Sequence, residues 1–115
     1  MTPFLILCKD QAEQDFFMSL MADNLGLAHV WIGLTDDPHK FYYEKWINGE
    51  DVEFTYWDKH EPNALPTEGF QCVHMWRKNG RWNDASCSKF GIYKSKFLKD
   101  NKFYFLKGIT LRKGT

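Results

Sequence analysis

The apolar positions of the chain fall into short blocks of differing period, which predict one helix set among several strands. Residues 4–7 form a brief apolar run suited to a buried strand, and the run ends at Lys9. Asp10 then stands three residues before Glu13, the spacing of a capping box, while Ala12, Phe16 and Leu20 with Phe17 and Met21 share a helical face. This spacing predicts a helix reaching about Asn24 and stopped by Gly26. Residues 29–34 read as a buried strand in which Gly33 permits close backbone approach. Asp36, Asp37 and Pro38 make a turn, residues 41–47 resume a strand, Asn48-Gly49 marks a tight hairpin, and residues 54–57 return.

From there to Cys72 the chain has two prolines and no clear period, and a loop of that length is usually functional or disordered. The aromatic residues flanking it favour function. Residues 73–76 and 81–82 are short strands joined across Lys78-Asn79-Gly80, which places Asn83 and Asp84 at a strand end beside the long loop. Beyond Cys87, lysines alternate with Phe, Tyr and Leu without caps. Residues 103–106 suit one more strand, and the same segment equally suits a poorly ordered basic extension.

A length of 115 residues implies one domain, small enough for cross-links to matter. Aromatic residues make up 17% of it against 26% charged, which is a packed and not a disordered composition. The net charge of zero conceals an asymmetry: residues 94–115 carry seven Lys or Arg and one Asp, which leaves the first 93 residues acidic. An acidic body argues against a nucleic-acid surface and leaves carboxylates available for a metal. The apolar run at residues 4–8 is too short for a membrane span or a signal-peptide core, so neither is read in this chain. Three cysteines allow at most one intramolecular disulfide; Cys72 and Cys87 flank the central stretch and are the expected pair, with Cys8 remote.

The chemistry concentrates between His60 and Cys87. Glu61, Asn63 and Glu68 lie on a proline-punctuated segment, and Asn83 and Asp84 follow Trp82. Carboxylates and amides offered without phosphate-binding glycines or paired histidines suit a hard cation, above all Ca2+, which takes about six to eight oxygens. The plainer reading is that Asn and Asp populate turns in any protein and that Glu61 is merely solvated. Trp31, Trp46, Trp57 and Trp82 lie on apolar strand patterns and are assigned to packing. His29, His39 and His74 lack metal-ligand spacing, and His60 reads as a surface residue. Cys8 reads as a small buried apolar residue. No hydrolase, zinc-protease, P-loop or dinucleotide fingerprint occurs, so no enzyme is expected.

Four tags then fall in register: WIGL at residues 31–34, W-x-x-G at 46–49, YW ahead of EPN at 61–63, and WND-x-x-C at 82–87. With them, residues 4–93 resemble a C-type lectin-like domain, and DQAEQDFF resembles the second helix of that fold. The resemblance implies an α+β fold of antiparallel strands with a long calcium- and sugar-binding loop, here expected to lack the family's first strand and helix. Residues 94–115 are then a basic extension. It also implies that Glu61, Asn63, Asn83 and Asp84 hold Ca2+ while hydrogen-bonding a sugar. The EPN order points to mannose, fucose or N-acetylglucosamine. The fifth ligand is usually a Glu two residues before the cysteine; Phe70 stands there, and Glu68 is taken in its place.

Where the family closes its long disulfide this chain has Tyr93, and that bridge's other cysteine is also absent, which suggests a truncated form. A Cys72 to Cys87 bridge would close a loop of about 15 residues, worth roughly 3 kcal/mol. Asp36 remains from the auxiliary calcium site, with Lys40, Ala64 and Gln71 in the other places, so one ion is expected. The implied function is calcium-dependent binding of glycans or glycoproteins in an extracellular setting, as an oligomer or as one module of a larger receptor. Two other functions remain open: a lectin-like domain that binds protein or has lost calcium, and a membrane-lytic role for the basic tail.

Overall fold

The computed structural model describes residues 6–22, 27–36, 43–64, 71–86, 93–99 and 102–110. Helix α1 spans Gln11–Ala22, and the expected end near Asn24 lies outside the described residues. Its start is capped as the spacing required: Asp10 Oδ1 accepts from the Glu13 amide at 2.8 Å, and Glu13 Oε1 accepts from the Lys9 amide at 2.8 Å. Leu20 and Met21 bury against the sheet, with Phe16 and Phe17 packed at the margin.

Strands β1 (Leu27–Thr35), β2 (Gln71–Trp76), β3 (Trp82–Ser86), β4 (Tyr93–Lys99) and β5 (Lys102–Thr110) form one sheet in the order β3-β2-β1-β5-β4. Every pairing is antiparallel. Alternation along the strands sends Val30, Ile32, Leu34, Val73, Met75 and Trp82 into the core with the helix. Gly33 does allow the expected close approach. Its amide donates to the Ile6 carbonyl at 2.7 Å, and a Cβ there would lie 2.6 Å from Leu7 Cδ2.

Gln14 was not foreseen as a core residue. It is fully buried, its Nε2 donates to the Gly80 carbonyl at 2.7 Å, and its Oε1 accepts from Trp82 Nε1 at 2.8 Å. One side chain thus fastens the helix to both the turn and the second strand of the β2–β3 hairpin. Gly80 itself has a φ of 71°, as the Asn79-Gly80 turn demands.

Two expected strands are replaced by shorter contacts. The turn at Asn48-Gly49 forms, with the Trp46 amide donating to the Glu50 carbonyl at 2.9 Å, but among the described residues only the single bridges Leu34 to Trp46 and Lys45 to Asp51 develop around it. Residues 54–57 do not return along this ribbon, because Phe54 and Trp57 both pack edge-on against the Trp82 indole and draw the backbone along β3. A second correction concerns Asn83 and Asp84, which lie inside β3 and not at its end, since pairing continues to Gln71 with Ser86. At the other side of the sheet, residues 93–110 contribute the β4–β5 hairpin, and β5 pairs with β1 at Val30 and Gly108. The strand reading of that segment is therefore the one observed, over a longer span than residues 103–106.

Candidate functional site

The chain from Tyr56 to Ala64 runs along the outer edge of β3. The Trp82 amide donates to the Tyr56 carbonyl and the Asp58 amide to the Trp82 carbonyl, both at 2.9 Å. A turn follows, with the Glu61 amide donating to the Asp58 carbonyl at 3.0 Å, and the Glu61–Pro62 peptide is cis. Asp84 then holds the loop. Its Oδ1 accepts from the Asn63 amide at 3.1 Å, and its Oδ2 accepts from the Ala64 amide at 2.9 Å and from the Tyr43 hydroxyl at 3.3 Å. Burial, and next the negative charge of Asp84, push the Tyr43 phenol above its usual range, so it keeps its proton and donates.

Against this clamped carboxylate lies a second one. The Glu61 carboxyl comes within hydrogen-bonding reach of Asp84, and its Oε1 is buried without a partner among the described residues. Burial first, then Asp84 and Asp58, raise the Glu61 pKa to about 7. The neighbouring charges that act on it are both negative. Such a pair can share a proton or a cation.

Asn83 faces the other side of β3. Its amide Nδ2 lies 3.1 Å from His74 Nε2 on β2, and His74 Nδ1 lies 2.9 Å from His29 Nδ1 on β1. A groove of about 570 Å³ joins these histidines to Asn63, Asn83 and Asp84. Burial, with a smaller contribution from the Lys78 charge, lowers the His29 pKa. A larger hollow of about 930 Å³ between α1 and residues 45–53 includes none of these groups and is spanned by the Lys9–Glu50 ion pair.

Of the five residues singled out in the sequence, Glu61, Asn63 and Asp84 meet directly, and Asn83 adjoins them across the strand. Glu68 and Cys87 lie outside the described residues. Cys72 is disulfide-bonded, and Cys8 is a free thiol, fully buried and with its pKa raised chiefly by that burial. Among the described residues no group of three or more His, Cys, Asp or Glu is placed to hold a metal; the carboxylates of Glu61 and Asp84 lie together, while Asn63 joins them through its backbone amide and Asn83 turns its Nδ2 to His74. Asp36 is also fully buried; its Oδ1 accepts from the Gln71 amide at 2.7 Å, and its Oδ2 has no partner among the described residues.

The pairing of His29 with His74 escaped sequence reasoning because the two are 45 residues apart. The available signal was their place in the β1 and β2 alternation, each on the face opposite the core residues, which becomes informative only once the register is known.

A helix packed on an antiparallel sheet, with a long irregular loop tied to the outermost strand by carboxylates and amides, is a C-type lectin-like architecture. The comparison with protein families agrees. A model described as the lectin C-type domain matches residues 2–93, and the chain belongs to that family. The chain is 33% identical over 85 residues to human C-type mannose receptor 2, an alignment covering 74% of this chain and 6% of the receptor. It is 31% identical over 86 residues to lectin BRA-3 of Megabalanus rosa, covering 75% of this chain and 50% of that lectin. The chain thus spans at most half the length of these relatives. Among solved structures, the cow carbohydrate-recognition domain of CD23, crystallised in the presence of a GlcNAc2Man3 oligosaccharide, superposes with a TM-score of 0.58 at 25% identity, covering 94% of this chain and 70% of that one.

Proposed function

We propose that the domain binds glycans in a calcium-dependent way, with one Ca2+ held by Glu61, Asn63, Asn83 and Asp84 and with Glu68 as the fifth ligand. The observation that carries this reading is the buried, unpartnered Oε1 of Glu61 set beside the Asp84 carboxylate. Two carboxylates brought together out of water favour a cation, and the two amides supply the neutral oxygens that a hard cation also accepts. When bound, Ca2+ would cancel the repulsion between the carboxylates and offer open coordination positions to neutral hydroxyl oxygens.

The protein's own groups do the rest. Asp84 keeps the loop folded against β3 through the Asn63 and Ala64 amides. Carboxylate oxygens accept from sugar hydroxyls, and the Asn63 and Asn83 side-chain amides donate to them. The EPN order supports mannose, fucose or N-acetylglucosamine, and a mannose receptor among the relatives fits the same class. Few sugar atoms would touch the protein, so single-site affinity is weak and function needs several copies, in an oligomer or a larger receptor. Such a domain recognises and does not catalyse. A disulfide at Cys72, expected with Cys87, fits an extracellular location.

Immobilised mannose tests the proposal. The protein should be retained in the presence of calcium and released by a chelator; retention in excess chelator would refute it. The engagement of both Asp84 oxygens, one by the Asn63 amide and the other by the Ala64 amide and Tyr43, favours a second reading, a lectin-like domain that binds protein and leaves its calcium loop unused. On that reading calcium would leave both mannose retention and thermal stability unchanged.

A further inference from the structure

We infer that His29 and His74 form a positioning pair that fixes the side-chain amide of Asn83. The argument runs through proton donors. An amide nitrogen can only donate, so the His74 Nε2 that lies 3.1 Å from Asn83 Nδ2 must be a bare acceptor. A neutral imidazole with a bare Nε2 carries its proton on Nδ1. That Nδ1–H points at His29 Nδ1, 2.9 Å away, which must in turn be bare and leave the His29 proton on Nε2.

With the Asn83 amide oriented this way, this proton arrangement satisfies the chain from β1 through β2 to β3, whereas a flipped amide would require the reverse one, with His74 protonated on Nε2. His74 is only 1% exposed, with Trp31 edge-on at 5.5 Å and Trp76 at 5.2 Å between ring centroids, so the ring has little room to turn.

The consequence for Asn83 follows from the planarity of its amide. With one hydrogen of Nδ2 given to His74, Oδ1 is turned away from the ring and the second hydrogen stays available. One oxygen acceptor and one N–H donor then remain for the groove shared with Asn63 and Asp84. A flipped amide would spend Oδ1 on His74 and remove it from the ion. This use of the pair rests on the proposed reading of Asn83 as a calcium ligand; the proton arrangement does not.

Two measurements separate these layers. Long-range 1H–15N spectra of the imidazoles in the calcium-free full chain at neutral pH should show His74 protonated on Nδ1 and His29 on Nε2. A His74 protonated on Nε2 would overturn the pair. Calcium titration of His74→Gln, whose side-chain carbonyl still accepts from Asn83, should give an affinity close to wild type. His74→Leu should lose about tenfold. Melting in chelator identifies any variant that merely unfolds. A folded His74→Leu with wild-type affinity would overturn the positioning role. If the wild type itself takes no calcium, the functional reading falls, and the tautomer spectra alone uphold or overturn the pair.

Discussion

A carboxyl group that loses its water and faces another carboxylate must keep its proton or acquire a cation, and Glu61 is in that position. Its pKa moves from 4.5 to about 7 in the folded chain. Between those values the Glu61 carboxyl binds more protons in the native state than in the unfolded one, so its contribution to calcium-free stability falls as pH rises through the window. Calcium affinity should run the opposite way, rising by about tenfold per pH unit up to about 7 and levelling above it, because ion and proton compete for the same oxygens. Titrations at about pH 5.5 and 7.5 check this, and equal affinities would contradict it. Gln14 offers a second test at this scale. Gln14→Leu strands the buried Trp82 indole N–H and the Gly80 carbonyl and should cost about 3 kcal/mol in denaturant unfolding. The candidate residues Glu61, Asn63, Asn83 and Asp84 could be proposed from sequence because EPN and WND are short contiguous strings. Gln14 was not, since its glutamine chemistry is explained only by a hairpin more than 60 residues away.

At the scale of elements, the features governed by neighbours in sequence are the ones that sequence reasoning reaches. The cap at Asp10 and Glu13 and the turns at Asn48-Gly49 and Asn79-Gly80 all formed where their residue types demanded. Removing the cap with Asp10→Ala should cost about 1 kcal/mol of stability, measurable as a shift of the unfolding midpoint without a change in its slope. The strands expected at residues 41–47 and 54–57 failed for a reason that no local pattern carries. Their aromatic residues are apolar enough for strands, yet Phe54 and Trp57 satisfy themselves on Trp82 by side-chain contact. The β4–β5 hairpin was legible only in part, as a strand at residues 103–106, because its place in the sheet depends on pairing with β1, some 80 residues earlier in the chain.

For the whole molecule the proposed function turns on the energy that a bound ion would add to the native state. At a calcium concentration about a hundred times the dissociation constant, mass action adds about 2.7 kcal/mol. In a domain of this size that raises the melting temperature by about 10 °C. A thermal melt with and without calcium reads it directly, and coincident curves would favour the calcium-independent reading. The family assignment rests on most of the chain, residues 2–93, whereas the ligand cluster depends on a short loop crossing one strand.

That crossing has a consequence for solubility. Strand β3 is the outermost strand on its side of the sheet, and an uncovered edge is a template on which another chain can add a strand. Here the edge is closed at Trp82 by the backbone of Tyr56 and Asp58, and further along by the loop tied to Asp84. The segment proposed to recognise ligand is therefore also a strap against self-association. Any change that frees this loop, whether or not it touches a sugar, unmasks the sheet and invites aggregation.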